Sequence, residues 1–371
     1  MTQTVEQAQA LPLAELHRQQ GATLVERDGR LVPAHYGDAA AEYEAVRGGA
    51  GAGLFDLSAR GRVEVRGAEA VQFLNGLITN DVKALAPGAW MHAAFPNVQG
   101  RLLAAARVLR PTGETVFLFD TEAATRARVR ESLARFTLAG DFHVRDLTDE
   151  TTQFSLQGAG SQTLVARVLG ASAARVERMH VAAVEWQGHA LTVARMTETG
   201  EDGFALIGST QAGAALWPAL VAAGARPAGA DALEVLRVEA GVARYGVDAT
   251  EANVVLEAVA ADAVSFTKGC YVGQEIIARI HWRGHVAKRL AGLLLGGETT
   301  PDAKITTADG KEIGRVTSAV FSPRLGRAAA LGIVKYDYLA PGTEVRVGAE
   351  AVPATVAELP LVRGSWYEEG L

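Results

Sequence analysis

A short unit made of a strand, a Gly-Ala turn and a helix occurs twice along the chain, and this repeat constrains the fold most. In the first copy, the strand Arg62 to Arg66 is followed by Gly67-Ala68 and by a helix with helical spacing of its apolar residues. In the second copy, the strand Phe154 to Gln157 is followed by Gly158-Ala159 and again by a stretch of helical character. A glycine at each turn lets the chain bend sharply into the helix. The repeat predicts two related α/β lobes, although two common βα units can also resemble each other by chance.

Two further helices are predicted in the middle of the chain. The Ala-rich stretch from Thr210 to Ala223 has helical character, and Pro218 marks a kink or boundary within it. Asp231, with Glu234 three residues later, is typical of a capping box. This pair predicts the start of a helix that carries Arg237.

The pattern changes after Arg289 to short strands separated by turn signals. The turn signal Asp309-Gly310 is followed by three segments with strand character, at 313–320, 329–334 and 342–347. We therefore place a domain boundary between residues 289 and 290, with a small β domain at 290–371.

The composition and charge exclude several classes of protein. The chain has 371 residues, 49% of them hydrophobic, which is enough material for more than one core. Lys and Arg number 36 against 42 Asp and Glu, and the net charge of −6 disfavours direct binding to nucleic acid. No run of about 18 uncharged apolar residues could span a membrane. The first ten residues show no secretory signal or transit peptide, so we expect a cytoplasmic protein.

The chain has one cysteine, Cys270, which lies in a basic segment from Phe266 to Leu290. Five Lys and Arg residues against the single Glu275 give this segment a charge of +4. Nearby cations favour the thiolate, the nucleophilic and metal-binding form, and Gly269 leaves the sulfur open. One thiol cannot by itself hold a zinc ion or an iron–sulfur cluster. The alternative is that Cys270 is an inert, buried residue.

A metal site is not expected elsewhere. His281 and His285 stand four residues apart, as two ligands on one helix face would. Gly284 lies between them and no carboxylate completes the set, so we place both histidines on a basic strand or loop.

The residues around Cys270 resemble a known family. Lys268 to Glu275 reads Lys-Gly-Cys-Tyr-Val-Gly-Gln-Glu and resembles the signature of the YgfZ-type folate-binding proteins, relatives of the glycine-cleavage aminomethyltransferase. Similarity to the wider aminomethyltransferase superfamily extends over nearly the whole chain. It includes residues 45–56, 73–75, 79–82, 199–204, 237–246, 313–318 and 322–323.

This resemblance implies an α+β fold and a folate-linked function. The expected fold is a three-lobed ring, with residues 1–289 forming two interleaved, duplicated α/β lobes that bind folate and residues 290–371 forming an antiparallel β-barrel. The expected ligand is tetrahydrofolate or a one-carbon derivative, held at the centre of the ring. The expected function is accessory: support for the assembly or repair of iron–sulfur enzymes, including radical-type enzymes that modify tRNA. The expected partners are those enzymes or the cluster-assembly proteins.

The resemblance also implies roles for individual residues. Glu201 would accept the adjacent N–H and NH₂ donors of a pterin in a two-point contact, and Arg237 and Tyr245 would line the same cavity. Asp81 would contact folate and assist at the nitrogen that receives the one-carbon unit. Cys270 and the adjacent cation Lys268 would be catalytic at the rim. The plain alternatives are loop caps for Glu201 and Asp81, a surface charge for Arg237 and a core aromatic for Tyr245.

Three departures from the transferase pattern bear on the choice of function. The stretch Gly100 to Ala105 lacks the acidic pair that aminomethyltransferases commonly carry there, Cys270 stands where they tend to have Asp, and Glu198 where they tend to have Tyr. These departures favour the accessory function. A folate-dependent aminomethyltransferase that uses Asp81 is the alternative, and a folate-sensing scaffold without turnover is a third hypothesis.

Overall fold

The computed structural model describes residues 8–111, 113, 115–135 and 140–367. Its N-terminal part contains a small three-stranded sheet in the order β1-β3-β2 and two helices. The elements are β1 (Gln9–Ala10), α1 (Ala14–Gln19), β2 (Thr23–Arg27), β3 (Arg30–His35) and α2 (Ala39–Arg47).

The first lobe is a five-stranded antiparallel sheet in the order β6-β7-β8-β5-β9. Its elements are β5 (Gly61–Arg66), α3 (Ala70–Leu77), β6 (Ala89–Pro96), β7 (Leu102–Arg110), β8 (Val116–Thr121), α4 (Arg126–Ala134) and β9 (His143–Asp146). One face of the sheet packs against α3 and α4 around Val63, Phe117 and Phe119, which are fully buried.

The second lobe is a six-stranded sheet in the order β11-β12-β13-β10-β4-β14. Its elements are β4 (Gly53–Asp56), β10 (Thr151–Gln157), α5 (Ser161–Leu169), α6 (Ala171–Ala174), β11 (Val181–Trp186), β12 (His189–Arg195), β13 (Gly203–Ser209), α7 (Thr210–Ala222) and β14 (Arg226–Pro227). The predicted helix at 210–223 is confirmed, and Pro218 lies inside it.

The predicted repeat is confirmed, because the two lobes use the same order of elements. In both lobes the order is a central strand, a glycine turn, a helix, a three-stranded meander and a second helix. Gly67 and Gly158 make the corresponding turns with φ of 133° and 126°, which side chains other than glycine rarely adopt. A Cβ on Gly67 would lie 2.0 Å from the carbonyl oxygen of Asp141, and one on Gly158 would lie 2.7 Å from that of Gly51.

The C-terminal part is a closed antiparallel barrel in the order β15-β18-β17-β16-β19-β20. It consists of β15 (Lys288–Leu295), β16 (Lys304–Thr306), β17 (Glu312–Ser322), β18 (Arg327–Lys335), β19 (Glu344–Val347) and β20 (Val352–Ala357). The lobes are joined to the barrel through α8 (Ala230–Glu239), α9 (Val255–Ala258) and α10 (Gln274–Arg283). The α+β class, the barrel and its three predicted strands are confirmed, whereas the boundary between residues 289 and 290 stays a prediction.

Two local predictions are wrong. Helix α8 begins after Gly229 without a side-chain cap, so Asp231 lies in its first turn and not at the cap, and Glu234 pairs with Arg237. His281 lies inside α10, where its ring stacks on Phe266 at 3.6 Å, and not on a strand or loop.

In the described part of the chain, no helix has the length and apolar character needed to cross a bilayer. The cytoplasmic location stays a prediction.

The glycine turns give a direct test of the repeat. We expect Gly67→Ala to lower the free energy of unfolding by about 2–3 kcal/mol, because the new Cβ meets a backbone carbonyl in a left-handed conformation. Gly76→Ala is the matched control, since Gly76 is within α3 with no atom near its Cβ position, and it should stabilise by about 0.5–1 kcal/mol. Urea unfolding followed by circular dichroism measures both. Equal effects at the two positions would contradict the requirement for glycine at the turn.

Candidate functional site

A cavity of about 140 Å³ opens between the N-terminal sheet, the two lobes and α8. Charged side chains dominate its polar lining, which includes Arg60, Glu122, Glu198, Glu234, Arg237 and Arg244. Of the site residues predicted from the sequence, Arg237 is the one found in this lining.

The wall of the cavity on the first lobe is built on a row of polar residues that crosses the sheet. His92 on β6 is the register partner of Arg107 on β7, Arg107 is that of Asp120 on β8, and Asp120 is that of Arg62 on β5. Register partners share a face of a sheet, so the four side chains lie on one face. The parallel row of Trp90, Leu109 and Leu118 packs against the second lobe.

Ion pairs neutralise the charges of Arg107 and Asp120 in this row. Arg107 makes a two-point contact with Glu198, one bond being 2.8 Å from Nη2 to Oε2, and its Nη1 lies 3.2 Å from Asp120. Arg60 lies 2.6 Å from Asp120 and also pairs with Glu122. Burial would raise the pKa of Asp120, but Arg60 and Arg107 hold it below its ordinary value. The carboxylate of Glu198, paired with Arg107, is therefore a charged part of the cavity lining.

Arg237 connects the lobes to the barrel and is almost fully buried, which excludes the alternative of a surface charge. Its guanidinium donates to Asp248 at 2.7 Å, to Glu234 at 2.9 Å and to the hydroxyl of Ser318 on β17 at 2.6 Å. Burial would lower the pKa of Arg237, but Glu234 and Asp248 raise it above its ordinary value.

The carboxylate of Glu201 has partners on both oxygens. Arg47 donates to Oε1 at 2.6 Å, while the backbone N–H and the hydroxyl of Ser365 donate to Oε2 at 2.8 and 2.6 Å. Burial would raise the pKa of Glu201, but the bonds from Ser365 and Arg47 lower it. A two-point contact with a pterin would therefore require Ser365 to release Oε2. The Nη2 of Arg47 is buried without a hydrogen-bond partner among the described residues.

Tyr245 lies apart from Glu201, at the start of β7. Its hydroxyl donates to the carbonyl oxygen of Leu102 at 3.3 Å, and its side chain is partly buried. The pKa of Tyr245 is raised, chiefly by burial.

Asp81 and Lys268 meet at a loop that follows α3. The Nζ of Lys268 donates to the carbonyl oxygens of Ile78 and Asn80, both at 2.7 Å, and so holds the residues that precede Asp81. Asp81 itself accepts from the backbone N–H of Lys83 at 3.0 Å, as a loop cap does. Burial lowers the pKa of Lys268 to about 8, although Asp81 acts in the opposite direction.

Cys270 is exposed, so the alternative of an inert buried residue is excluded. No described residue forms a hydrogen bond or ion pair with its sulfur. The ammonium group of the neighbouring Lys268 is turned toward the loop at 78–80. Among the described residues no group of three or more His, Cys, Asp or Glu is arranged as a metal site, and His285 stacks on Tyr336.

The predicted residues thus fall into separate clusters: Asp81 with Lys268, Glu201 with Arg47, and Arg237 in the cavity wall. The row of His92, Arg107 and Asp120 was not predicted from the sequence. One signal was available for Arg107, which stands between apolar residues of β7. Its partners lie 13 and 91 residues away along the chain, which local patterns do not show.

Comparison with known families gives two matches along the chain. Residues 13–268 match the model of the GCVT N-terminal domain, and residues 288–363 match that of the glycine cleavage T-protein C-terminal barrel domain. The chain belongs to the glycine cleavage T-protein family.

Relatives within this family match nearly from end to end. An aminomethyltransferase from Rubrobacter xylanophilus is 36% identical over 354 residues, covering 95% of this chain and 94% of the relative. An aminomethyltransferase from Thermus thermophilus is 33% identical over 351 residues, covering 95% of this chain and 98% of the relative. The crystal structure of glycine cleavage system aminomethyltransferase T from Bartonella henselae superposes with a TM-score of 0.89 at 25% identity, covering 96% and 98%. The expected aminomethyltransferase-type fold is therefore confirmed.

These relatives correct the predicted function. From the motif around Cys270 we expected a YgfZ-type accessory function in support of iron–sulfur enzymes. That functional expectation is wrong, because the relatives that match over nearly the whole chain are named aminomethyltransferases. The iron–sulfur partners and the link to tRNA modification have no support from them. The folate expectation stands, since tetrahydrofolate is the substrate of this glycine cleavage T-protein family.

The buried ammonium group of Lys268 predicts a dependence of stability on pH. Because the folded-state pKa of about 8 lies below the ordinary 10.5, the unfolded chain binds more protons between these values, and stability rises with pH there. We expect the free energy of unfolding of the wild type to increase relative to that of Lys268→Met between pH 8 and pH 10. Denaturant titrations at several pH values measure this difference. The exposed Lys335→Met is the control, and parallel curves for wild type and Lys268→Met would contradict the assignment.

Proposed function

We propose that this protein is a tetrahydrofolate-dependent aminomethyltransferase of the glycine cleavage type, which transfers a one-carbon unit from an aminomethyl donor to folate. The observation that carries the proposal is the match to named aminomethyltransferases over about 95% of the chain, which includes both lobes and the barrel. A fold alone hosts many activities, so the proposed activity also requires a site that fits the substrate.

The cavity lined by Arg237 suits a folate in its hydrogen-bonding capacity. A reduced pterin carries several N–H donors, and the carboxylates of Glu198 and Glu122 line the cavity as acceptors. Glu198 keeps lone pairs free after its two bonds to Arg107. We propose that Arg237 holds this wall in place, as its buried ion pairs indicate.

Glu201 and Tyr245 remain proposed folate contacts. Glu201 reaches a pterin when Ser365 moves away from Oε2, and the unpartnered Nη2 of Arg47 then offers a further donor next to the carboxylate. Tyr245 would contact the ligand from the side of β7.

Asp81 is the proposed group that takes a proton from the folate nitrogen that receives the one-carbon unit. Its backbone is fixed by Lys268 through Ile78 and Asn80, so the carboxylate is held on a rigid loop. A positioned carboxylate of this kind contributes about 10²–10⁴-fold to a proton transfer.

Replacing Asp81 tests the proposed transfer. In a reconstituted glycine cleavage system that lacks its own aminomethyltransferase, wild type should produce methylenetetrahydrofolate, and Asp81→Asn should lower kcat by about 10²–10⁴-fold. Asp309→Asn, in an exposed turn of the barrel, is the control and should leave kcat unchanged. Calorimetry with tetrahydrofolate separates binding from turnover. No transfer by the wild type would refute the proposed function.

Cys270 stays a predicted catalytic residue at the rim of this site. If its exposed sulfur takes part in the transfer, Cys270→Ser lowers kcat at least about tenfold, equal to roughly 1.4 kcal/mol of transition-state stabilisation. The same assay measures this loss. An unchanged kcat in Cys270→Ser, with unchanged folate binding, would remove the thiol from the mechanism.

A further inference from the structure

His92 and Asp262 form a pair outside the residues assigned so far. The Nδ1 of His92 lies 3.0 and 3.1 Å from the two carboxylate oxygens of Asp262, which lies in the short turn Ala261–Ala263. The His92 side chain is about one third exposed. A carboxylate on Nδ1 fixes the orientation of the ring and leaves Nε2 free to exchange a proton.

The location of this pair distinguishes it from an ordinary surface ion pair. The side chain of Asn80 donates to the backbone oxygens of His92 at 2.7 Å and of Asp262 at 2.8 Å, and its own oxygen accepts from the N–H of Asp81 at 2.9 Å. One amide group therefore ties the pair to the residue that carries the proposed acid–base carboxylate.

The sheet register gives His92 a second connection, to the cavity. His92 is opposite Arg107, and Arg107 holds Glu198 in the cavity wall. The imidazole contacts the carboxylate of Asp262 from the turn, Arg107 is the register partner of His92 on β7, and Asp81 is connected through Asn80.

We propose that His92, oriented by Asp262, is the second proton carrier of the transfer reaction. The inference rests on the proposed aminomethyltransferase function and deepens it. His92 would also supply a proton-carrying side chain in the first lobe, where β7 has Ala104 and Ala105 before Arg107 and no carboxylate.

The transfer reaction needs two proton movements. A donor X–CH₂–NH₂ loses its bonds from carbon to nitrogen and to X, while the carbon forms bonds to N5 and N10 of tetrahydrofolate. The protons of N5 and N10 are released, and the departing amine and X each gain one, which gives methylenetetrahydrofolate, ammonia and X–H. Asp81 accepts one proton from folate and passes it to X. Nε2 of His92 accepts the other proton from folate and delivers it to the departing amine.

The test uses the full chain in the reconstituted glycine cleavage system. We expect His92→Asn to lower kcat by about 10²-fold with an unchanged KM for tetrahydrofolate, since the loss of one proton carrier affects turnover and not binding. The shape of the pH–rate profile should change, and added imidazole should restore part of the rate. Asp262→Asn should give a smaller loss that imidazole does not restore.

The matched control is another His–Asp pair of the same lobe. His143 and Asp141 lie 3.1 Å apart and are well exposed, so His143→Asn should keep the wild-type kcat and pH profile. A kcat of His92→Asn within twofold of the wild type, or a loss without imidazole rescue and with an unchanged pH profile, would overturn the role of His92. Either result, with Asp81→Asn still inactive, leaves the proposed function standing, whereas an inactive wild type refutes the function itself.

Discussion

Charges that are buried between the lobes are neutralised by partners from other parts of the chain, and this constraint holds the ring together. An unpaired charge in such a setting costs several kcal/mol, so each pair fixes the relative position of the elements that supply it. Arg107 of the first lobe pairs with Glu198 of the second, and Arg47 of α2 pairs with Glu201 and Glu239. Arg237 pairs with Asp248 and bonds to the barrel through Ser318.

The same ion pairs give the cavity its chemical character. Because Arg107 lies within the polar row and holds Glu198, the wall at this point offers charged oxygens, as the departure at Glu198 from the Tyr of the transferase pattern predicted. Polar groups fixed in this way recognise hydrogen-bond donors and need little reorganisation when a ligand enters. The pair of His92 and Asp262 is connected to this wall through Arg107, the register partner of His92, and Asn80 connects the pair to the loop of Asp81.

Predictions from the sequence succeeded where the signal was local and repeated. The two glycine turns, the helix at 210–223 and the strands of the barrel follow from patterns within about ten residues, and the structure has all of them. The capping box at Asp231 is absent because the helix begins at Ala230, which places Asp231 inside the first turn and not at the N-cap. The functional prediction failed because an eight-residue motif at Cys270 was given more weight than similarity spread over the whole chain.

The sequence by itself determined the elements of this protein: a duplicated α/β unit, a small β domain, and a chain whose residues 13–268 and 288–363 carry the patterns of one family. Only the tertiary structure decided which polar residues act together. The row from His92 to Arg62 is assembled from four strands, and Glu201 is bonded to a residue 164 positions away. Periodicity reports which face of an element is buried, but the pairing of buried charges depends on distances between elements that no local pattern contains.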